Sequence, residues 1–201
     1  RANFVQEGLT TYNNTANKHS QSMNKTLDNI FLVGPMGAGK TTIGRQLAKA
    51  LKKEFVDSDH EIEERSGANI SWIFDIEGEE GFRRREEKVI EELTQLRGVI
   101  LATGGGAVLA ADNRKYLQSR GTVIYLMATV KQQVERTKND QRRPLLQNVP
   151  NIKDKLTELM DIRDPLYREI ADHVVMTSKR SPKTVSGEII HQLFADEAHE
   201  L

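Results

Sequence analysis

Ile30-Phe31-Leu32-Val33-Gly34-Pro35-Met36-Gly37-Ala38-Gly39-Lys40-Thr41-Thr42 is the stretch on which the fold turns. An apolar run leads straight into a G-x-x-x-x-G-K-T pattern, after which Ile43, Leu47 and Leu51 recur at helical spacing. A continuous apolar run suits a strand buried on both faces, so the unit reads as strand, tight loop, helix. Glycines let such a loop close around a polyphosphate with its N–H groups turned inward, and the following helix adds the positive end of its dipole. Lys40 then offers a mobile charge to the β and γ phosphates. Thr41 offers a hydroxyl to Mg²⁺, a cation that takes oxygen ligands and keeps several waters.

Outward from this unit, short apolar runs alternate with amphipathic stretches, the pattern of a parallel sheet with crossover helices. Glu54-Phe55-Val56, Val99 to Ala102, Val123 to Leu126 and His173 to Met176 join Ile30 to Val33 as candidate strands. Four of the five read as continuous apolar runs and are expected to be buried on both faces. Phe82, Val89, Leu93 and Leu96 share one helical face, as do Val185, Ile189 and Leu193 with the neighbouring Ile190. The fold class is therefore α/β, a three-layer α/β/α arrangement on a five-stranded parallel sheet. Two segments interrupt the alternation, 58–97 and 138–150, and are expected to carry function. Residues 1–25, polar and without periodicity, read as an extension or an expression remnant; 26–195 read as one domain and 196–201 as a tail.

Composition narrows the class. Among 201 residues, 29 Lys and Arg balance 29 Asp and Glu, so no global field draws the chain to nucleic acid or to an anionic membrane. The absence of cysteine excludes disulfides, thiolate nucleophiles and Cys-ligated zinc. The sequence reading expects a cytoplasmic protein with no nucleic-acid or membrane partner, no structural metal, and a monomeric state, since no coiled-coil heptads appear.

A guanine-nucleotide reading has two footholds, Asp75-Ile76-Glu77-Gly78 and Thr137-Lys138-Asn139-Asp140. Neither follows a buried strand, so ATP is the expected nucleotide. Asp57 and Asp59 stand at the carboxyl end of the second candidate strand, where open α/β sheets gather ligands. One carboxylate suits a metal-bound water and the other a substrate hydroxyl, although Ser58 or Asp59 could instead cap a helix. On the inserted helix, Arg83 borders the apolar stripe and could take a carboxylate in a two-pronged contact. A solvated face with Arg83 paired to Glu87 is the plainer reading, and the favoured one for Arg84 and Arg85. Thr103-Gly104-Gly105-Gly106 ends the third strand and bares backbone amides, or is a simple turn. Arg142 and Arg143 lie in the 138–150 segment, which has no core-forming pattern, and are expected to swing over phosphates in a lid that excludes water.

Six ordered motifs, G-P-M-G-A-G-K-T at 34–41, F-V-D-S-D at 55–59, G-E-E-G-F-R at 78–83, A-T-G-G-G at 102–106, R-R-P-L-L at 142–146 and R-D-P-L-Y at 163–167, together resemble the shikimate kinase family over residues 29–193. The resemblance implies a nucleoside monophosphate kinase-like sheet of strand order 2-3-1-4-5. It implies transfer of the γ-phosphoryl of ATP to the 3-hydroxyl of shikimate, in the chorismate pathway to aromatic amino acids. Gly37, Ala38, Gly39, Lys40, Thr41 and Thr42 would bind the ATP phosphates, with Thr41 and Asp57 serving Mg²⁺. Asp59 would bind shikimate hydroxyls and act as candidate base. Arg83 and Arg163 would clamp the substrate carboxylate, and Gly104, Gly105 and Gly106 would line its pocket. Lys40, Asp59 and Arg143 would be catalytic, Arg143 as the lid cation, with Arg136 against adenine and Arg180 as a further nucleotide contact. A kinase for another hydroxy acid such as gluconate, or a nucleotide-sensing binding module, are the rival functions.

Overall fold

A computed structural model describes residues 28–138 and 143–199. The expectations placed on residues 1–25, on Asn139, Asp140 and Arg142, and on residues 200 and 201 fall outside it. Strands β1 (Ile30–Val33), β2 (Glu54–Asp57), β3 (Val99–Ala102), β4 (Thr122–Met127) and β5 (His173–Met176) form one parallel sheet in the order β2-β3-β1-β4-β5. The helices are α1 (Lys40–Leu51), α2 (Ser58–Ser66), α3 (Ile70–Leu93), α4 (Ala111–Arg120), α5 (Val130–Thr137), α6 (Ile152–Ile170) and α7 (Pro182–His199).

Alternation along each strand divides the core in two. Phe31, Val33, Leu101, Val123 and Tyr125 face one side, packed with Ile62 of α2, Phe82, Val89 and Leu93 of α3, Leu117 of α4 and Tyr167 of α6. Ile30, Leu32, Ile100, Ile124, Leu126 and Val175 face the other, packed with Ile43 and Leu47 of α1 and with Val185, Ile189 and Leu193 of α7. This is the expected three-layer arrangement, with the two-faced burial that β1, β3 and β4 require.

Two expectations need correction. Strand β5 is an edge strand and only Val175 is buried in it; Val174 and Met176 share the opposite face of the strand, which is left exposed at this edge. Leu96 does not continue the apolar face of α3. The helix ends at Leu93 and Leu96 is 41% exposed on the turn that follows. The interior of α3 also carries a kink: Gly78 has φ 70 and ψ 178, a backbone state open to glycine alone at low cost. Asp75 to Gly78 is thus a helical segment ending in a kink and not a loop behind a strand, in keeping with the rejection of the guanine reading.

The register explains why distant motifs converge. Asp57 of β2 and Leu32 of β1 both pair with Ala102 of β3, so the segments after Val33, Asp57 and Ala102 leave the sheet at one level. Neighbours β3 and β4 lie on opposite sides of β1, and the crevice that opens at such a reversal is where α/β sheets bind ligands.

Candidate active site

The loop after β1 is shaped by close backbone approach. Gly34 has φ +143, and a Cβ there would stand 2.4 Å from the carbonyl oxygen of Leu126, so a side chain is barred on both grounds. The loop closes through Ala38 N–H donating to Pro35 O at 3.2 Å, and Gly39, with φ 92, starts α1. Lys40 Nζ donates to the carbonyls of Gly34 at 2.7 Å and Pro35 at 2.9 Å, folded back across the cradle. Burial, and then the cation of Arg143, push the Lys40 ammonium down to about 8. Arg136 of α5 donates to Gly37 O at 2.6 Å, tying that helix to the loop.

Thr41 Oγ1 donates to Asp57 Oδ2 at 2.8 Å. The other oxygen of Asp57 accepts from the backbone N–H of Asp59 at 3.1 Å and of His60 at 3.4 Å. The cap of α2 is therefore Asp57, and not Ser58 or Asp59 as the capping alternative had it, because the helix starts at Ser58 directly after the strand. Ser58 turns inward instead, and its hydroxyl accepts the Gly104 N–H at 2.9 Å. Capping and ligand roles coexist in Asp57, since each uses a different oxygen. One hydroxyl and one carboxylate, all oxygen, beside a phosphate cradle fit Mg²⁺, which needs few protein ligands when phosphates supply others. Among the described residues no cluster of three or more His, Asp or Glu side chains offers a fuller metal cage.

A cavity of about 920 Å³ runs along this edge, lined by Gly37 to Thr42, Asp57, Asp59, Arg136, Arg143 and Arg180 among others. The volume lies at the upper end for small-molecule sites. Arg180, the position with the loosest sequence support, thus reaches the cavity wall, where it pairs with Glu188. A smaller chamber of about 70 Å³ adjoins it, lined by Asp59, Phe74, Phe82, Arg83, Glu86, Gly104 to Gly106, Arg143 and Arg163. Met36, Asp59, Ile70, Gly105 and Arg143 border both spaces, so phosphates held by the loop would face whatever the chamber holds.

The chamber is acidic and basic at once. Arg83 Nη1 donates to Glu86 at 2.6 Å and its Nη2 to Glu79 at 2.9 Å. Its partners are therefore Glu79 and Glu86, one helical turn to either side, and not the exposed Glu87. Arg84 and Arg85 pair with Glu80 at 2.7 Å and Glu77 at 2.6 Å on the solvated face, as expected. Arg163 is buried at 4% exposure, near enough that a Cβ on Gly105 would lie 3.7 Å from its Nη1.

Side chains at 104 and 106 would displace the charged groups that crowd these glycines. A Cβ at Gly104 would stand 2.4 Å from Glu86 Oε1 and 2.7 Å from Asp59 Oδ1, and one at Gly106 would strike the Arg83 guanidinium at 2.2 Å. The two carboxylate oxygens that crowd Gly104 are both buried and both lack a hydrogen-bond partner. Asp59 as a residue is only partly covered, yet this oxygen is shut from solvent. Burial, then the charges of Glu86 and Asp57, push the Asp59 carboxyl up to about 7. Burial raises Glu86 as well, opposed by Arg83.

Sequence reasoning missed Glu86 and Tyr167. Glu86 was detectable as an acid inside the apolar stripe of Phe82, Val89, Ile90 and Leu93, one turn from an arginine. Tyr167 stood in a quoted motif without a role; its hydroxyl donates to the carbonyl of Gly105.

Comparison with known proteins follows this geometry. A family model described as Shikimate kinase matches residues 36–194. A shikimate kinase of Histophilus somni (strain 2336) is 60% identical over 162 residues, covering 81% of this chain and 93% of that protein. The solved structure of shikimate kinase from Acinetobacter baumannii in complex with shikimate is 50% identical, with TM-score 0.83, covering 88% of this chain and 98% of that one. A gluconokinase from Sinorhizobium meliloti 1021 has TM-score 0.52 at 14% identity, covering 86% and 99%, which speaks to the fold alone.

Proposed function

The chain belongs to the shikimate kinase family, and we propose that it transfers the γ-phosphoryl of ATP to the 3-hydroxyl of shikimate, releasing shikimate 3-phosphate and ADP for aromatic amino acid biosynthesis. The observation that carries this reading is the shared wall: Asp59 and Arg143 border both the phosphate cradle and the chamber with Arg83 and Arg163. Arginines answer the one carboxylate of shikimate, and an aspartate answers its hydroxyls. The small chamber takes the carboxylate end, and the ring extends into the common mouth toward the nucleotide.

Phosphoryl transfer is loose in its transition state, so positioning and charge neutralisation outweigh base strength. Lys40 leaves the Gly34 and Pro35 carbonyls for the β and γ phosphates. Arg143 neutralises charge on the transferring oxygens. Asp59, as the anion, orients the acceptor hydroxyl and takes its proton. Thr41 and Asp57 would hold Mg²⁺, which supplies charge neutralisation at the phosphates. Arg136 and Arg180 flank the nucleotide end. We further propose one kinase domain over 26–195, working as a monomer in the cytoplasm. Among the described residues no helix is long and apolar enough to cross a membrane.

Gluconate is not favoured as acceptor, because the gluconokinase likeness stops at the fold. The test is ADP release measured against added shikimate, gluconate and water. Saturable turnover with shikimate alone is expected. Equal rates with water, or ATP binding without turnover, would favour the nucleotide-sensing reading.

A further inference from the structure

The motif Arg163-Asp164-Pro165-Leu166-Tyr167 places an arginine and a tyrosine four residues apart on α6, hence on the same helical face. Both are buried, Tyr167 at 0% exposure and Arg163 at 4%. The tyrosine hydroxyl donates to the Gly105 carbonyl, and the Arg163 guanidinium lies beside the same glycine, its Nη1 3.7 Å from where a Cβ would stand. Its ring is held from the other side by Tyr125, with centroids 4.9 Å apart, and the Tyr125 hydroxyl bonds Asp164 at 2.6 Å. Gly105 is itself wedged against the nucleotide loop: a Cβ there would meet Met36 N at 3.4 Å and Gly34 O at 3.5 Å. A hydroxyl that donates to a backbone carbonyl fixes that carbonyl, and a buried tyrosine has only two torsions left to blur the geometry.

We propose that Tyr167 is a positioning residue for the acceptor: its hydroxyl pins the Gly105 carbonyl, and with it the backbone against which the Arg163 guanidinium lies, setting the carboxylate clamp at a fixed distance from the phosphate loop. The proposal rests on the reading of Arg163 as a carboxylate contact. Tyr167 touches neither substrate; it acts through Arg163 and Gly105. Its loss should therefore weaken shikimate and spare ATP.

The test is a double-mutant cycle in the full-length enzyme, with Tyr167→Phe, Arg163→Lys and their combination, reading the KM of each substrate. Tyr167→Phe removes one oxygen and keeps the ring contact with Tyr125. It should raise the shikimate KM about tenfold and leave the ATP KM within about twofold, the loss of one buried hydrogen bond. In the Arg163→Lys background the same change should move the shikimate KM by less than about twofold, since the partner it positions is gone. Tyr125→Phe removes a neighbouring hydroxyl that does not reach Gly105, and should leave the shikimate KM unchanged. Tyr167→Met, which also lacks a donor, takes the place of the phenylalanine variant in the cycle if the latter is insoluble. An unchanged shikimate KM in Tyr167→Phe, or an equal rise in both backgrounds, overturns the proposal and leaves a merely structural tyrosine. An unchanged shikimate KM in Arg163→Lys would instead refute the underlying assignment of the clamp, a separate result.

Discussion

Replacing Asp59 by asparagine should make the ligand-free enzyme more stable at pH 8 while disabling it. In the folded chain this carboxyl is pushed from 3.8 up to about 7, first by burial and then by the charges of Glu86 and Asp57, against the attraction of Lys40 and Arg143. The folded state therefore holds the proton more tightly than the unfolded chain. The stability this confers is fully present below pH about 4 and is lost as the pH rises through about 7. A shift of roughly three units corresponds to at most about 4 kcal/mol, of which about 2 to 3 kcal/mol falls between pH 5 and pH 8. Asparagine keeps the shape and carries no such dependence. For a domain of this size the difference amounts to roughly 5 to 10 °C in melting temperature.

Thermal melts of both proteins without ligands, followed by circular dichroism from pH 5 to pH 8, give the answer as a difference curve. Lys40, held down to about 8, titrates in both proteins, and its stabilising influence is lost as pH falls through that value, the opposite sense. Subtracting the curves removes most of it. The variant should gain on the wild type steadily with pH. A melting difference that stays flat across the window would refute the reasoning that this carboxylate is held against its own solvation.

The same carboxyl should appear in catalysis as a rise of kcat/KM for shikimate with pH, inflecting near 7, because only the anion can take the hydroxyl proton; a profile flat from pH 6 to pH 8 would remove that role. Gly104→Ala puts a methyl group within 2.4 Å of Glu86 and 2.7 Å of Asp59, so the shikimate KM should rise about tenfold or more with little change for ATP. Lys40→Ala should lower kcat by about two to three orders of magnitude through loss of charge at the phosphates. Arg83→Ala should chiefly weaken shikimate, and steady-state kinetics with an unaltered shikimate KM would count against its place in the clamp.

The two halves of the site were unequally visible in the amino-acid order. The nucleotide half is local: residues 34–42 form one turn, whose glycines, lysine and threonine act within reach of their own backbone, so the chemistry could be read without the fold. The acceptor half draws on residues 59, 83, 104–106 and 163, which meet only because β2 and β1 both pair with Ala102 of β3 and because α6 returns across the sheet edge. Short-range reasoning supplied Asp59, Arg83 and the glycines as open alternatives, and resemblance supplied Arg163. Helical spacing offered Arg83 three acids, Glu79, Glu86 and Glu87, and the fold selects Glu79 and Glu86, since Glu86 lies on the buried face of α3 and Glu87 on the exposed one.

The two misses differ in cause: Glu86 pairs with Arg83 three residues away, a spacing the sequence carries, whereas Tyr167 reaches Gly105 62 residues away, a contact only the fold supplies. An acid inside an apolar stripe normally costs several kcal/mol unless it is paired. Here Arg83 satisfies only one oxygen of Glu86, while the other and Asp59 Oδ1 both crowd the position of the missing Gly104 side chain. Two unpartnered carboxylate oxygens around a glycine would be a defect in a domain built for stability alone. In a kinase of hydroxylated acids they form a wall that stays unsatisfied until donors arrive, as a site requires if its strongest contacts are to be made with the acceptor and not with itself. That reasoning also accounts for the triple glycine. A side chain at 104 would relieve the crowding only by displacing the groups that face the substrate, so the fold keeps the gap and accepts the loss of stability that Asp59→Asn should return.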